Sequence, residues 1–301
     1  MNESPRHPAT RATIFVEDAA VVQQQPLAAE QYLLRLAAGA CAAQARPGSF
    51  VHLRCHEALP MRRPMSIMRA DPNAGWIDIL YKVHGQGTQK LAGARPGDHI
   101  NLLGPIGTPF KLQGYRRFPL LIGGGVGIPP MVFLAEHIAT QATDVQPLVI
   151  MGSEIPFPFQ PRPSQVMVDG VPPEALACMP LLEDWGIPSR LTSKQGYPGC
   201  YDGFVTDLAR LWLSNLAPSQ RQQVELFSCG PTPMLHAVAE LAAEFSLPCQ
   251  ISVEEYMACA TGGCAGCAIP VYRNGETIMQ RVCVDGPVFE AAEVYNEHMT
   301  D

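Results

Sequence analysis

Four cysteines fall close together near the C-terminus, in the pattern Cys259-x4-Cys264-x2-Cys267-x15-Cys283. Thiolates are ligands for soft metal centres, and four of them complete the ligation of a 2Fe–2S cluster. The intervals of four and two residues are those of a 2Fe–2S cysteine run. The first two gaps hold Ala-Thr-Gly-Gly and Ala-Gly. Residues this small leave room for backbone N–H groups to approach the cluster sulfurs, and such hydrogen bonds tune a reduction potential. Zinc is the competing reading, but zinc cysteines usually come as two closely spaced couples, not three together and one remote.

The other six cysteines, Cys41, Cys55, Cys178, Cys200, Cys229 and Cys249, are scattered. Met1 to Arg11 is polar and lacks the apolar core of a secretory signal, so a cytoplasmic protein without a disulfide framework is expected. A net charge of −7 gives no footing for nucleic acid, and no apolar run is long enough to span a membrane.

Two changes of pattern divide the 301 residues. From residue 13 to about 110 the chain reads as short strands, such as Tyr32 to Ala37, Ser49 to Arg54 and Trp76 to Val83. Arg46-Pro-Gly, Asp71-Pro-Asn and Arg95-Pro-Gly-Asp punctuate them, which suggests a small β-barrel or sandwich. Beyond Phe118, strand-like runs (Pro119 to Ile122, Pro147 to Met151, Val224 to Ser228) alternate with helical ones (Pro129 to Thr140, Met234 to Phe245). That alternation predicts a parallel sheet with crossover helices. Ile155 to Pro173 holds six prolines and reads as a surface loop or insertion. The expected division is 1–114, 115–248 with an insertion over 155–187, and a cysteine-bearing section 249–301.

Two turns at strand ends carry candidate binding residues. Gly123, Gly124, Gly125, Gly127 and Pro130 form a glycine-rich strand-to-helix turn. There a backbone without Cβ atoms can approach a pyrophosphate and the helix N-terminus favours the anion. Cys229, Gly230 and Pro231 form a second such turn. In the first half, Arg63-Pro64-Met65-Ser66 offers a phosphate-binding guanidinium and a hydroxyl. The stretch His84-Gly85-Gln86-Gly87-Thr88 offers backbone N–H groups and a second hydroxyl, and Gly104-Pro-Ile-Gly107 reads as a further tight turn.

These motifs, in this order, together with Leu80-Tyr81-Lys82 and the closing Val284-Asp-Gly-Pro-Val-Phe289, resemble the ferredoxin-reductase-like flavoproteins. Within them the chain is most similar to the electron-transfer subunits of bacterial NAD-dependent dihydroorotate dehydrogenases. The short gap before Cys283 is the most specific element. The resemblance implies a ferredoxin-reductase-like fold: a β-barrel FAD domain, an α/β parallel-sheet NAD domain and a small C-terminal 2Fe–2S domain. It implies FAD on Arg63, Pro64, Met65, Ser66, Leu80, Tyr81, Lys82, Gly87 and Thr88, with Ser66 near the flavin ring and Arg63 near the phosphates. It implies the NAD pyrophosphate on the Gly123 to Pro130 turn, the nicotinamide near Cys229, and the cluster on Cys259, Cys264, Cys267 and Cys283. Glu154, after the strand that ends near Gly152, is a candidate partner for a ribose 2′-hydroxyl.

Such a set of carriers has a chemical logic: nicotinamide moves electrons in pairs, a cluster one at a time, and a flavin either way. The expected route runs from the FMN of a dihydroorotate dehydrogenase catalytic subunit through the cluster and FAD to NAD, in pyrimidine biosynthesis. No general acid or base in this chain is called for. Two other functions use parts of the same pattern: a reductase serving an oxygenase or a ferredoxin, and a zinc-binding interaction module.

Overall fold

The computed structural model describes residues 13–141 and 144–295, so the reading of residues 1–11 lies outside it. Its first sheet has seven antiparallel strands: β1 (Phe15–Leu27), β2 (Gln31–Ala37), β3 (Phe50–Arg54), β4 (Arg63–Ser66), β5 (Arg69–Asp71), β6 (Trp76–Lys82) and β7 (His99–Ile106). They lie in the order β4-β3-β7-β1-β2-β6-β5. Short helices α1 (Gly39–Gln44) and α2 (Gly85–Leu91) follow β2 and β6. Ile67 and Met68 join the two outermost strands, donating their N–H groups to the Ser49 and Asp78 carbonyls, so the sheet curls on itself. Strand alternation fills the interior: Val51 and Leu53, Ile77, Ile79 and Tyr81, and Leu34 and Leu36 all point into one core. Asp78, almost fully buried, is held there by two 2.7 Å hydrogen bonds from Arg35, whose guanidinium stacks on Trp76.

The second sheet is built from β8 (Phe118–Gly124), β9 (Leu148–Gly152), β12 (Ser189–Thr192), β13 (Val224–Cys229), β14 (Cys249–Ser252) and β17 (Val288–Glu290). Between β9 and β12 comes a two-residue ladder, β10 (Arg162–Pro163) with β11 (Ala177–Cys178), and between β14 and β17 a hairpin, β15 (Ala268–Arg273) with β16 (Glu276–Arg281). The order is β12-β9-β8-β13-β14-β17, parallel except for β17. Helices α3 (Ile128–Gln141), α4 (Pro180–Asp184), α5 (Val205–Asn215), α6 (Pro218–Arg221), α7 (Thr232–Glu244) and α8 (Ala291–Val294) complete the fold. Successive residues of β8 face opposite sides: Leu120 and Ile122 pack with α5 and α7, Leu121 with α3. The sheet is thus buried on both faces, which is why its central strands β8 and β9 read as continuous apolar runs.

The expected fold class is observed, with corrections of detail. Arg63 to Ser66, which is not among the strands read from the sequence, is one, because it pairs along β3 from Phe50↔Ser66 to Leu53↔Arg63. Residues 85–91 form a short helix, whose start is closed by the Thr88 hydroxyl: it accepts the His84 N–H and donates to the His84 carbonyl. Gly104 to Ile106 continues β7, and only Gly107, at φ +101°, turns the chain.

Candidate functional site

Strand order sets the first site. From β8 the chain steps outward to β9 and β12, then returns to the other side of β8 for β13 and β14. The order therefore reverses between β8 and β13, and in open α/β sheets such a switch point opens a crevice at the carboxyl ends of the strands. Both predicted turns lie there, in register at Gly123↔Cys229. A methyl group on Gly127 would overlap the Cys229 carbonyl and stand 2.5 Å from the Gly230 nitrogen. One on Gly124 or on Gly230 would run into Met234. These three glycines let the two turns close on each other. Gly125 differs: its φ is +53° and the space beside it is open. Pro130 is buried in the first turn of α3, where its missing N–H costs no helix hydrogen bond.

Cys229 is buried. Burial pushes its thiol pKa up, nearby Glu254 adds to the rise, and a hydrogen bond with Ser252 opposes it. Glu154 stands exposed just beyond β9. At the end of β12, the Ser193 hydroxyl donates to the Ser153 carbonyl at 2.7 Å, and the Lys194 ammonium rests 3.8 Å from the Phe204 ring centroid. These residues went unread in the sequence, because a four-residue strand without strong alternation gives little signal for an element ending there.

The second site runs along the curled sheet. Arg63 to Ser66 is half-buried throughout, Leu80 and Tyr81 are buried and Lys82 is exposed. A Cβ on Gly87 would lie 2.8 Å from Arg63 Nε, so the strand β4 and the helix α2 meet at this guanidinium. Arg63 donates to the Met61 and Arg62 carbonyls and, among the described residues, has no carboxylate partner. It is therefore free to meet an anion. Arg62, by contrast, is committed: it donates to the His52 and Asn101 carbonyls and to the Asn101 side chain. Tyr81 stacks on Tyr32 at 5.6 Å, and burial pushes its phenol pKa up against the hydrogen bond from Gln24.

The third site is the cysteine loop. Ala260, Gly262 and Ala265 all have positive φ, winding the chain tightly. The Cys264 N–H points at Cys259 Sγ and the Gly266 N–H at Cys264 Sγ, both at 3.4 Å. Burial alone would raise the Cys259 thiol, but contacts from Thr261 and Cys264 outweigh it and bring the pKa down to about 6. Burial, and then the neighbouring Cys267, push Cys283 up to about 12. Cys264 lies against Cys259, while Cys267 and then Cys259 add to the rise at Cys283. Among the described residues no three His, Cys, Asp or Glu side chains close on a single metal ion. Four thiols drawn from one loop and the turn after β16 suit a 2Fe–2S centre, which takes four cysteine ligands. Cys267 and Cys283 are buried and Cys264 exposed, so the loop has an inner and an outer side. Arg281 braces it, donating to the Gly262 carbonyl and pairing with Asp285 at 3.0 Å.

The inner side of that loop rests on the curled sheet. Val51 and Leu53 of β3 face the sheet's own core, while Phe50, on the opposite face, shares a core with Met257, Ala260, Cys267 and Cys283. Among the described residues no helix is long and apolar enough to cross a membrane.

Residues 254–295 match the family described as the iron–sulfur cluster binding domain of dihydroorotate dehydrogenase B, which favours iron–sulfur over zinc on the four cysteines. Over 282 residues the chain is 33% identical to the dihydroorotate dehydrogenase B (NAD(+)) electron transfer subunit of Geobacillus sp. (strain WCH70), covering 92% of this chain and 98% of that one. It is 34% identical over 278 residues to the subunit of the same name from Listeria innocua, covering 91% and 96%. Among solved structures, an NADH-dependent reduced ferredoxin-NADP oxidoreductase, described in connection with flavin-based electron bifurcation, superposes with a TM-score of 0.72 at 26% identity, covering 92% of this chain and 90% of that one. With relatives of this identity matched over nearly their whole length, the chain belongs to the family of dihydroorotate dehydrogenase B electron transfer subunits.

Proposed function

We propose that this chain carries electrons between an FMN-containing dihydroorotate dehydrogenase catalytic subunit and NAD, with FAD and a 2Fe–2S cluster as its own cofactors, in pyrimidine biosynthesis. The observation that carries the reading is the convergence of three cradles in one chain: a crevice at a strand-order reversal, a half-buried strand bearing an arginine with no carboxylate partner among the described residues, and a thiol loop docked on the flank of that strand's sheet. When bound, the flavin supplies exchange between one-electron and two-electron carriers.

The residues divide the work. Gly123, Gly124, Gly125, Gly127 and Pro130 hold the pyrophosphate of NAD, with Cys229, Gly230 and Pro231 closing the crevice from β13. Arg63 neutralises FAD phosphate charge beside Gly87 and Thr88. Pro64, Met65, Ser66, Leu80, Tyr81 and Lys82 line the rest of the flavin strip. Cys259, Cys264, Cys267 and Cys283 would hold the cluster, and Cys264 with the exposed Tyr256 marks the face that meets the catalytic subunit. The functional division is 1–114 for FAD, 115–248 for NAD and 249–301 for the cluster, the last anchored in the NAD sheet through β14 and β17. The setting is the cytoplasm, where thiols stay reduced.

A second reading, a reductase serving a ferredoxin or an oxygenase, draws on the likeness to the ferredoxin-NADP oxidoreductase. The test is the visible spectrum of the anaerobically purified chain, with flavin and iron assays, before and after NADH. One flavin and about two irons per chain, bleached by NADH, is the expected result. A colourless, zinc-containing chain that takes up neither group would overturn it. Co-purification with a dihydroorotate-oxidising subunit separates the two redox readings.

A further inference from the structure

His52 has no assigned role, and its setting is anomalous. It lies on β3 between Pro64 of β4 and Leu103 of β7, fully buried, with neither ring nitrogen hydrogen-bonded among the described residues. A buried polar group without a partner calls for an explanation. By strand alternation its side chain leaves β3 on the face opposite Val51 and Leu53, the face against which Met257 and the cysteine loop pack. The ring faces the backbone of Met257 and of Arg62 without closing a full hydrogen bond to either. Met257 lies just before the first cysteine, and β4, the next strand over, carries Arg63 to Ser66. One side chain thus touches the approach to the thiol loop from the strand that pairs with the flavin strip.

We propose that His52 is the positioning residue that registers the cluster loop on the flavin strip, by donating a ring N–H to the Met257 backbone carbonyl when the cluster is in place. The inference rests on the proposed cofactor set. A ring held between two committed strands is a rigid anchor. Arg62, locked to the His52 and Asn101 carbonyls, keeps the β3 backbone from yielding. On this side the loop shares an apolar core with Phe50, while among the described residues its hydrogen bonds run among the cysteines, to Val282 and to Arg281, with none to β3. The low pKa of the ring, about 4, set first by burial and then by Arg62, fits a neutral donor with one N–H to give. Groups hydrogen-bonded to a metal ligand typically matter by about tenfold or more in metal retention or activity, and an anchor on the backbone two residues before Cys259 is expected to reach the low end of that range.

The test compares His52→Met with His52→Gln in the full chain carrying FAD and cluster. Methionine fills the volume with a flexible apolar chain and removes the donor. Glutamine keeps an N–H at similar reach. Two quantities are read: the rate at which the cluster's EPR signal grows after mixing with NADH, relative to flavin bleaching, and the rate of iron loss to a chelator. The expected result is cluster reduction about tenfold slower and iron loss about tenfold faster in His52→Met, both restored toward wild type in His52→Gln, with flavin bleaching unchanged in each. Equal behaviour of the two variants, whether both normal or both impaired, overturns the proposal. If the wild-type chain takes up neither flavin nor iron, the functional reading itself fails, and the two failures are thereby told apart.

Discussion

Gly127 and Gly125 lie two residues apart in one turn, yet the structure assigns them opposite reasons for being glycine. At Gly127 the backbone conformation is open to any residue, but an added methyl group would overlap the Cys229 carbonyl and the Gly230 nitrogen. Neither can rotate away, because both belong to the backbone where β13 runs into its turn. Relief requires the β8 and β13 turns to separate by roughly 1 Å, since carbon contacts below about 3 Å are steeply repulsive. Overpacking of this kind costs about 1–3 kcal/mol, and rigid neighbours on both sides place Gly127→Ala near the top, about 3 kcal/mol. At Gly125 the space is empty and the cost is conformational, about 1 kcal/mol for an alanine held at positive φ. The functional gap should be wider still. A displacement of about 1 Å in a positioning element can cost on the order of a hundredfold, so Gly127→Ala should lose most of its NADH-driven flavin bleaching at low NADH. Gly125→Ala, with the two turns still closed, should lose much less. Urea denaturation of the flavin-loaded protein and an NADH titration followed by flavin absorbance measure both effects. Equal stability and equal NADH dependence in the two variants would refute the view that the turns pack directly on each other.

Other substitutions probe the remaining cradles. Cys264→Ser removes the exposed one of the four proposed ligands and should abolish the cluster while leaving FAD bound; iron and flavin assays on one sample check it, and full iron retention would exclude Cys264 as a ligand. Arg63→Ala should weaken FAD retention by about 1.5–3 kcal/mol, the worth of a hydrogen bond to a charged group, read as flavin fluorescence released on dilution. Arg69 of β5 pairs with Glu136 of α3 at 2.5 Å with both side chains about three-quarters buried, so Arg69→Met should lower stability by about 1–2 kcal/mol; an unchanged urea midpoint would show the pair to be idle. The His52 ring, held by burial and Arg62 at about 4 against an ordinary 6.5, stays unprotonated in the folded state while the unfolded chain takes up a proton. Its stabilising contribution is therefore complete above about pH 6.5 and lost as pH falls toward 4, and His52→Gln should flatten the stability profile in that window; parallel profiles would contradict it.

What the sequence disclosed depended on how local the physics was. The thiol spacing is a local pattern, as are the glycine turns that end β8 and β13, and both could be read before any fold was known. The central strands β8, β9 and β13 of the second sheet were legible because burial on both faces makes them largely apolar, whereas the short β12, β14 and β17 carried too little pattern to be read. The character of Arg63 to Ser66 was not, because nothing within four residues containing a proline announces pairing with a strand ten residues upstream. Helix α5 went unread too: its apolar stripe follows a glycine-rich loop, and its start is fixed by Asp207 accepting the Phe204 N–H. His52 is the clearest case. In sequence it is one polar residue in an alternating strand, where water is the expected neighbour. Only the docking of a segment two hundred residues away makes it buried.

The proline-rich insertion shows how composition and position work together. Prolines cannot donate to a ladder, so the six between Ile155 and Pro173 prevent this segment from extending the sheet beyond its edge at β12. Instead it crosses the gap between the two sheets. The Pro156 carbonyl accepts a hydrogen bond from Gln31 at 2.9 Å, Phe157 is buried beside Phe159 and Tyr197, and Trp185 lies 5.0 Å from the Arg69 guanidinium that also holds Glu136. The Gln31 and Arg69 contacts tie the curled sheet to the segment between β9 and β12, and the packed rings of Phe157, Phe159 and Tyr197 fix that segment on the side of the second sheet. A segment that reads as a loop by its prolines therefore acts as a brace by its aromatics. The separation of the flavin strip from the crevice between β8 and β13 is then set by packing, and not left to a flexible joint.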